Sequence, residues 1–221
     1  MIDRIIPRNS LRFRIAPFAM SWRHVLFTLC MMSIACAAGP RIPLRDGDII
    51  FHTSQSSQSI AIQRATGSPY SHMGVIFFRR GGPYVLEASA TVRYTPLDAW
   101  IARGKGGHYV VKRLRDDSAL NSDGIFKLRA TAEQFLGRPY DLTFEWSDDR
   151  MYCSELVWKT YDRALHTDIG ELQHLRDFNL DDPVVKAKMR QRYGDHVPLE
   201  ESVISPSAMF RSPLLTTVAE K

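Results

Sequence analysis

The stretch DRMYCSELVWKTYDRAL, residues 149–165, predicts a helix whose first turn contains Cys153. On such a helix Cys153 shares one mainly apolar face with Leu156, Val157, Thr160, Tyr161 and Ala164. The unpaired N–H groups at a helix start favour a thiolate over a thiol and can also bind an oxyanion. The position is therefore typical of a cysteine nucleophile. The alternative is a small buried apolar residue, which alanine would replace equally well.

Residues 1–38 have the layout of a signal peptide. Their polar part carries five arginines, Arg4, Arg8, Arg12, Arg14 and Arg23. The uncharged run VLFTLCMMSIACAA, residues 25–38, follows; it is short for a bilayer span and ends in small residues that suit cleavage after Ala37 or Ala38. Met20 is an alternative start. We therefore expect a periplasmic or secreted protein with one domain over residues 39–221.

Two alternatives to cleavage would associate the protein with a membrane. The leader could stay attached as an anchor, or Cys36 could be lipidated, since SIAC resembles a lipobox apart from Ser33. If cleavage occurs, Cys153 is the only cysteine left, because Cys30 and Cys36 belong to the leader. A disulfide within the mature chain is then excluded. A lone thiol in an oxidising compartment calls for burial or for a use.

The leader also accounts for most of the positive charge. Its five arginines and one acidic residue, Asp3, leave a net +1 for the mature domain out of the total of +5. A nearly neutral domain lacks the basic surface that nucleic-acid binding requires. We therefore expect no nucleic-acid partner.

The pattern along residues 39–221 predicts an α+β domain. Strand-like runs occur in the middle of the chain, at residues 46–52, 72–78, 83–89, 92–97 and 108–114. Helices are predicted at residues 54–66, with a cap at Ser54 or Ser56, at about 97–102 and 123–137, in the Cys153 stretch and at 183–194. A proline-punctuated tail ends the chain. Helices clustered at both ends of a strand-rich middle argue against a βαβ fold.

His72 and Glu87 are the best candidates for the base and the acid that a cysteine nucleophile needs. His72 opens an apolar strand, and Glu87 interrupts the next one. If the hairpin turn is centred on Arg80-Gly81, paired residue numbers sum to 161, and His72 and Glu87 become diagonal neighbours on one face. An even sum would place them on opposite faces.

Several stretches carry a family resemblance. They are GDIIFHTSQSSQSIAIQRATGSPYSHMGVIF (47–77), VLEAS (85–89), FLGRPYD (135–141) and YCSELVWKTY (152–161). Together they are similar to the YiiX/YebB-like branch of the NlpC-type cysteine hydrolases, the circularly permuted papain-like group. The resemblance covers about residues 44–215 and implies a permuted papain-like fold, with an antiparallel sheet or partial barrel packed against helices, in which the histidine strands precede the cysteine helix.

The resemblance implies a role for each residue. Cys153 is expected to be the nucleophile, His72 the base and Glu87 the acid that orients it. Tyr140, at the end of the GRPY motif, matches a tyrosine that helps to bind the oxyanion in NlpC-type enzymes. His52 and Tyr70 are candidate substrate-binding residues. No cofactor is expected, and no His-x-x-x-His or Cys-x-x-Cys pair predicts a metal site.

These features predict an exported amidase or peptidase that acts on a small peptide or a peptidoglycan fragment. One alternative is a hydrolase or acyltransferase of an acyl lipid or ester, because the permuted group also resembles lecithin–retinol acyltransferase. The cysteine motif of that enzyme, Asn-Cys-Glu-His, is absent, since this chain has Tyr152-Cys153-Ser154-Glu155. An inactive binding module using the same cleft is the third candidate.

Overall fold

A computed structural model describes residues 43–221 of the 221-residue chain. The predicted signal peptide, the alternative start at Met20 and the lipidation site at Cys36 therefore lie outside the described residues. So do residues 39–42 of the predicted domain.

A six-stranded antiparallel sheet, in the order β4-β3-β2-β1-β5-β8, forms the centre of the fold. Its strands are β1 (Ile49–His52), β2 (His72–Arg79), β3 (Gly82–Ala88), β4 (Val92–Pro96), β5 (Val110–Leu114) and β8 (Leu215–Glu220). A second sheet of two short strands pairs β6 (Gln173–His174) with β7 (Ser202–Val203). The predicted α+β class with an antiparallel sheet is confirmed.

Helices cover both faces of the large sheet. They are α1 (Ser59–Thr66), α2 (Leu97–Ala102), α3 (Ser122–Glu133), α4 (Cys153–Leu165), α5 (Pro183–Tyr193) and α6 (Pro206–Phe210). The larger core lies between the sheet and helices α3 and α4, where Phe77 and Leu86 pack with Leu128 and Leu156. A smaller core on the other face centres on Trp100 of α2. Because side chains alternate across a strand, β1, β2 and β3 are buried on both faces over much of their length.

The hairpin of β2 and β3 has the predicted register. Val75 pairs with Leu86 and Arg79 with Gly82, so the paired numbers sum to 161, and Arg80 and Gly81 form the turn. Gly74 permits this close pairing, because a β-carbon there would lie 2.6 Å from the carbonyl oxygen of Leu86. The register therefore brings His72 and Glu87 to the same face of the sheet.

The sequence interpretation missed β6, β7 and α6 in the tail and missed or misplaced three further features. Strand β8 lies in the proline-punctuated tail and joins the sheet only by pairing with β5, a partner about 100 residues away in the chain. Helix α3 ends at Glu133 rather than at Gly137. Helix α1 begins after Gln58 rather than at a serine cap, because the Ser54 hydroxyl instead accepts from the backbone N–H of Ser56 in the preceding loop.

Within residues 43–221, none of the helices combines the length and the apolar character that a membrane span needs.

Candidate active site

Cys153 is the first residue of α4, as its sequence environment predicted, and its side chain is buried. Tyr152 precedes it in extended conformation and serves as the N-cap. The Tyr152 N–H donates to Oε2 of the buried Glu155 at 3.3 Å, and Lys159 Nζ donates to Oε1 of the same carboxylate at 2.8 Å. The first turn of the helix is thus held by a carboxylate within the helix, and Cys153 stands at the end of the helix where backbone N–H groups lack helical partners.

The C-terminal tail braces the same helix start. The Ser154 hydroxyl donates to the Ile204 carbonyl at 2.7 Å, and the Ile204 N–H donates to the Tyr152 hydroxyl at 3.1 Å. Both bonds are buried, where each hydrogen bond is costly to break. A segment about 50 residues downstream therefore fixes the position of Cys153.

His72 and Glu87 form a direct contact across the β2–β3 hairpin. The distance from His72 Nε2 to Glu87 Oε2 is 2.7 Å, and the Glu87 side chain is fully buried. This leaves Nδ1 as the ring nitrogen available to Cys153, with which the imidazole also interacts. The three side chains thus stand in the order Glu87, His72, Cys153.

Two further residues bind the Glu87 carboxylate. Thr95 on β4 donates its hydroxyl to Glu87 Oε1 at 2.6 Å, and the Arg103 guanidinium, which follows α2, donates to the same oxygen. A buried carboxylate is stable only when it is paired and hydrogen-bonded. Glu87 therefore has a fixed orientation, with Oε2 reserved for His72.

This environment separates the proton affinities of the base and the acid. Burial alone would lower the pKa of His72, but its interactions with the Cys153 and Glu87 side chains outweigh burial and raise that pKa to about 9. Burial alone would raise the pKa of Glu87, but bonds from His72 and Thr95 and the charge of Arg103 lower it to about 2. The geometry thus favours an imidazolium at His72 beside a Glu87 carboxylate.

His52 lies beside this group but in a different state. Its buried ring stacks on Trp100, with centroids 3.9 Å apart, and lies 5.3 Å from the His72 ring. Burial, with the charges of His72 and Arg103, lowers the pKa of His52 to about 3. It therefore stays neutral at physiological pH and supports the His72 ring rather than acting as a second base.

Tyr140 approaches the site from the loop before α4. Its backbone N–H donates to the Ala90 carbonyl at 3.0 Å, and the next N–H, of Asp141, donates to the Met151 carbonyl at 3.0 Å. The Tyr140 hydroxyl accepts from Gln58 Nε2 at 3.1 Å. Burial and the nearby Cys153 raise the pKa of Tyr140 well above its ordinary value, so the phenol keeps its proton.

Tyr70 packs against other aromatic side chains. Its ring stacks on Phe210, with centroids 4.1 Å apart, and meets the edge of Phe51. Its side chain does not border either of the two cavities found beside Cys153 and His72 within the described residues. Substrate contact by Tyr70 remains a prediction from the sequence.

Two cavities of different character meet at Gln58, Ile62 and Tyr140. The first is a polar cleft of about 700 Å³ that His52, His72, Arg103 and several serines line. The second is a narrow cavity of about 80 Å³ that borders Cys153. Its walls are mainly apolar and include Ala61, Phe144, Leu175, Phe178, Leu180, Val185, Met189 and Val203. A reactant at Cys153 can therefore extend into a polar and an apolar compartment.

The chain order of the site, with the His72 and Glu87 strands before the Cys153 helix, agrees with the family comparison. The model of the family described as permuted papain-like amidase enzyme, YaeF/YiiX, C92 family, matches residues 43–219. This chain belongs to the permuted papain-like amidase family. As a member, it is a cysteine hydrolase of the amidase or peptidase type.

Two relatives support the assignment to the permuted papain-like amidases. The uncharacterized protein YiiX of Escherichia coli (strain K12) is 53% identical over 175 residues, which cover 79% of this chain and 86% of that protein. The crystal structure described as metalloprotein yiiX from Escherichia coli O157:H7 has 53% identity and a TM-score of 0.77. It covers 80% of this chain and 97% of that chain. The predicted YiiX-like family and permuted papain-like fold are confirmed.

The word metalloprotein raises the question of a metal site in this chain. Among residues 43–221, histidine, cysteine, aspartate and glutamate side chains form no group of three or more that could hold a metal ion. His72 and Glu87 are already bonded to each other.

Sequence reasoning did not find Thr95, Arg103, Gln58 or Arg192. Thr95 could have been found, because Glu87 pairs with Arg93 and the residue two further along β4 returns to the same face. Arg103 follows a helix and Arg192 lies on α5, far from the other site residues in the chain. Their approach depends on tertiary packing that no local pattern encodes.

Proposed function

We propose that the protein is an exported cysteine hydrolase that cleaves an amide bond through Cys153, His72 and Glu87, with cell-wall peptides as the substrate class. The observation that carries the proposal is the His72 ring, which bonds Glu87 through Nε2 at 2.7 Å, keeps Nδ1 available and interacts with the Cys153 side chain. An imidazole held in this way can accept the thiol proton and return it to a leaving group.

The proposed reaction begins with transfer of the Cys153 proton to His72. The thiolate attacks the amide carbonyl, and the oxyanion is bound by the N–H of Cys153 at the helix start and by the Tyr140 hydroxyl. His72 then protonates the leaving amine, and a thioester remains on Cys153. Water, activated by the neutral His72, hydrolyses the thioester. Glu87 holds the tautomer of the ring and stabilises the imidazolium.

Export is part of the proposal because the leader has the layout of a signal peptide. A periplasmic location would bring the enzyme to peptidoglycan, and the polar cleft with Arg103 on its wall suits the amides and carboxylates of wall peptides. The cell-wall substrate follows from this combination of location and cleft chemistry.

Product analysis with two substrate classes tests the proposal. The protein is incubated with peptidoglycan fragments and, separately, with phospholipids, and the products are identified by mass spectrometry. Amide cleavage of the fragments that disappears in Cys153→Ala supports the proposal. Turnover that survives Cys153→Ala overturns the mechanism. Absence of turnover with both substrates, together with tight fragment binding, would favour an inactive binding module.

Acyl hydrolysis or acyl transfer is the second candidate, and the narrow apolar cavity beside Cys153 favours it. An acyl chain, like an apolar amino-acid side chain, would be stabilised by burial there. The two candidates differ in the bond that is cleaved and in the length of the apolar group.

A cavity-filling variant separates these candidates. Ala61 lies in the wall of the apolar cavity, and Ala61→Phe would occupy part of its space. If long acyl chains bind there, this variant loses activity on p-nitrophenyl octanoate while it keeps activity on the acetate. The matched control is Ile60→Phe, at an exposed position of the same helix. Equal activity of Ala61→Phe and wild type on both esters would remove the support for acyl-chain binding.

A further inference from the structure

Arg192 on helix α5, Gln58 before α1 and Tyr140 beside Cys153 form a chain of hydrogen bonds. Arg192 Nη2 donates to Gln58 Oε1 at 2.7 Å, and Gln58 Nε2 donates to the Tyr140 hydroxyl at 3.1 Å. We propose that Gln58 and Arg192 are positioning residues that direct the Tyr140 hydroxyl proton toward the oxyanion formed at Cys153. The inference rests on the proposed function and extends its machinery to helix α5.

The direction of the chain follows from what each group can donate. A guanidinium has donors only, so the Gln58 atom that faces Arg192 must be the amide oxygen. The atom that faces Tyr140 is then the amide nitrogen, which cannot accept, and the phenol oxygen must be the acceptor in that bond. The Tyr140 hydroxyl proton therefore takes no part in these two hydrogen bonds. It is free to bond a substrate oxygen.

The location of Tyr140 suits this use of its proton. Tyr140 and Cys153 both border the apolar cavity, and Tyr140 also borders the polar cleft that contains His72. Its backbone is held by the bond to Ala90 and by the pairing of the adjacent peptide with Met151, two residues before the nucleophile. A hydroxyl on such a fixed segment costs little reorganisation when charge develops.

Arg192 supplies a positive charge to the far end of the chain. The residue is half-buried, its guanidinium lies 4.8 Å from the centroid of the Phe144 ring, and burial lowers its pKa. The described part of the chain gives it no ion pair with a carboxylate. The Asp141 carboxylate is near enough to raise the pKa of Arg192 but forms no salt bridge with it among the described residues, so the guanidinium charge is only partly offset. That charge polarises Gln58 and Tyr140 in the direction that favours an anion next to the phenol.

Within residues 43–221, the side chain of Gln58 makes hydrogen bonds only to Tyr140 and Arg192. It stands at the N-cap position of α1, where a side chain usually accepts from the first turn, but it makes no such bond. Its amide instead joins two residues that are 52 positions apart in the chain, Tyr140 and Arg192.

Two reagents that react with the same thiol test the proposal. With p-nitrophenyl acetate, the sulfur bonds to the carbonyl carbon, an oxyanion forms, and the C–O bond breaks to release p-nitrophenolate. With iodoacetamide, the sulfur bonds to the methylene carbon and iodide leaves, without any oxyanion. A residue that aims an oxyanion donor therefore affects acylation and not alkylation, whereas a residue that only holds the fold affects both.

The expected rates follow from the geometry. Tyr140→Phe should slow acylation of Cys153 by about 10²-fold or more, as for other oxyanion donors. Gln58→Met and Arg192→Met should slow it roughly tenfold, the loss of one directing bond. Gln58→Glu should match Tyr140→Phe, because a carboxylate accepts the phenol proton and turns it away from the substrate. Alkylation by iodoacetamide should stay within about twofold of wild type in Gln58→Met.

Controls make the outcomes distinct. Arg190→Met removes an exposed arginine of the same helix and should leave both rates unchanged. Gln58→Glu in a Tyr140→Phe background should not slow acylation further, because both changes remove the same hydrogen-bond donor, the Tyr140 hydroxyl. Parallel losses of acylation and alkylation, or full additivity of that double variant, would overturn the positioning role. Wild-type protein that alkylates but is not acylated would instead overturn the proposed hydrolase function, and the inference with it.

Discussion

Glu87 lies diagonally across the β2–β3 hairpin from His72, and its Oε2 atom is 2.7 Å from His72 Nε2. The same carboxylate also accepts from Thr95 and Arg103 through its other oxygen. One buried acid thus connects three strands and the segment after α2 to the imidazole. The role of Glu87 can therefore be tested by substituting it.

Glu87→Gln should lower the rate of Cys153 acylation by about 10² to 10⁴, because an amide can bond the ring but cannot stabilise an imidazolium. Adding Glu87→Gln to His72→Ala should lower the acylation rate almost no further, because Glu87 acts only through the His72 ring, which is already absent. Single-turnover kinetics with p-nitrophenyl acetate measure both effects. The control is Glu171→Gln, at an exposed position. An additive double variant would show that Glu87 is a structural acid only.

Alkylation of Cys153 should be faster than that of an ordinary thiol at neutral pH. The helix start and the His72 imidazolium both favour the thiolate, which is the reactive form. The rate with iodoacetamide between pH 6 and 8 is compared with that of glutathione, and peptide mapping locates the label. His72→Ala should bring the rate down toward that of the free thiol. Inertness of the native, reduced protein would contradict the assignment of Cys153 as nucleophile.

The pKa of His72 should depend on Cys153. In the wild type it lies at about 9, against an ordinary value of 6.5, and interaction with the Cys153 side chain is the leading cause that raises it. In Cys153→Ala this interaction is lost, and the pKa should fall. Titration of the ring Cε1 proton by NMR measures the change, with His166 as an exposed reference in the same spectra. An unchanged titration would place the two side chains too far apart to exchange a proton.

Glu87 should make the stability of the protein depend on pH in the acidic range. Its pKa is about 2 in the folded state, below the ordinary 4.5, so its contribution is fully present above pH 4.5 and is lost as the pH falls through 2. A pKa shift of this size corresponds to about 3 kcal/mol in the free energy of unfolding at a pH where the carboxyl is ionised in both the folded and the unfolded state. Urea unfolding at several pH values should show the difference between wild type and Glu87→Gln shrinking over that window. A difference that stays constant from pH 6 to pH 2 would contradict the assigned shift.

The buried pair of Glu155 and Lys159 should stabilise the start of the nucleophile helix. Glu155→Ala leaves the Tyr152 N–H without its acceptor and removes one of the two carboxylates that bind the buried Lys159, while the bond to Asp148 at 3.0 Å remains. We therefore expect a loss of about 1–3 kcal/mol in the free energy of unfolding. The chain offers a matched control in Asp123 and Lys127, an exposed pair with the same i,i+4 spacing. Asp123→Ala should cost less than about 1 kcal/mol. Equal losses in urea unfolding would contradict the prediction.

Export with cleavage after Ala37 or Ala38 remains a prediction from the leader. The intact mass of the protein recovered from its native host should lack the leader. A diacylated Cys36 would indicate the lipoprotein alternative, and a full-length product in the soluble cytoplasm would contradict export.

Local sequence patterns determined the Cys153 helix, the β2–β3 hairpin and the central site residues of this protein. Hydrophobic periodicity was sufficient to predict the Cys153 helix, and alternation with a glycine turn was sufficient to predict the hairpin. The register followed only from the assumption that the turn is centred on Arg80-Gly81. Both patterns are short-range: a helix face repeats every three or four residues, and a tight turn leaves few registers open. The three central residues of the site could therefore be found before any tertiary contact was known.

Tertiary structure alone decided what surrounds those residues. Arg103 and Arg192 reach the site by helix packing, Ile204 reaches it from the tail, and β8 joins a strand distant in the chain. Such contacts depend on how separate elements dock, and the docking is driven by apolar surface that many partners could bury, so sequence spacing carries no record of it. The direction of the Tyr140 proton, set by an arginine 52 residues away, was decided at this level.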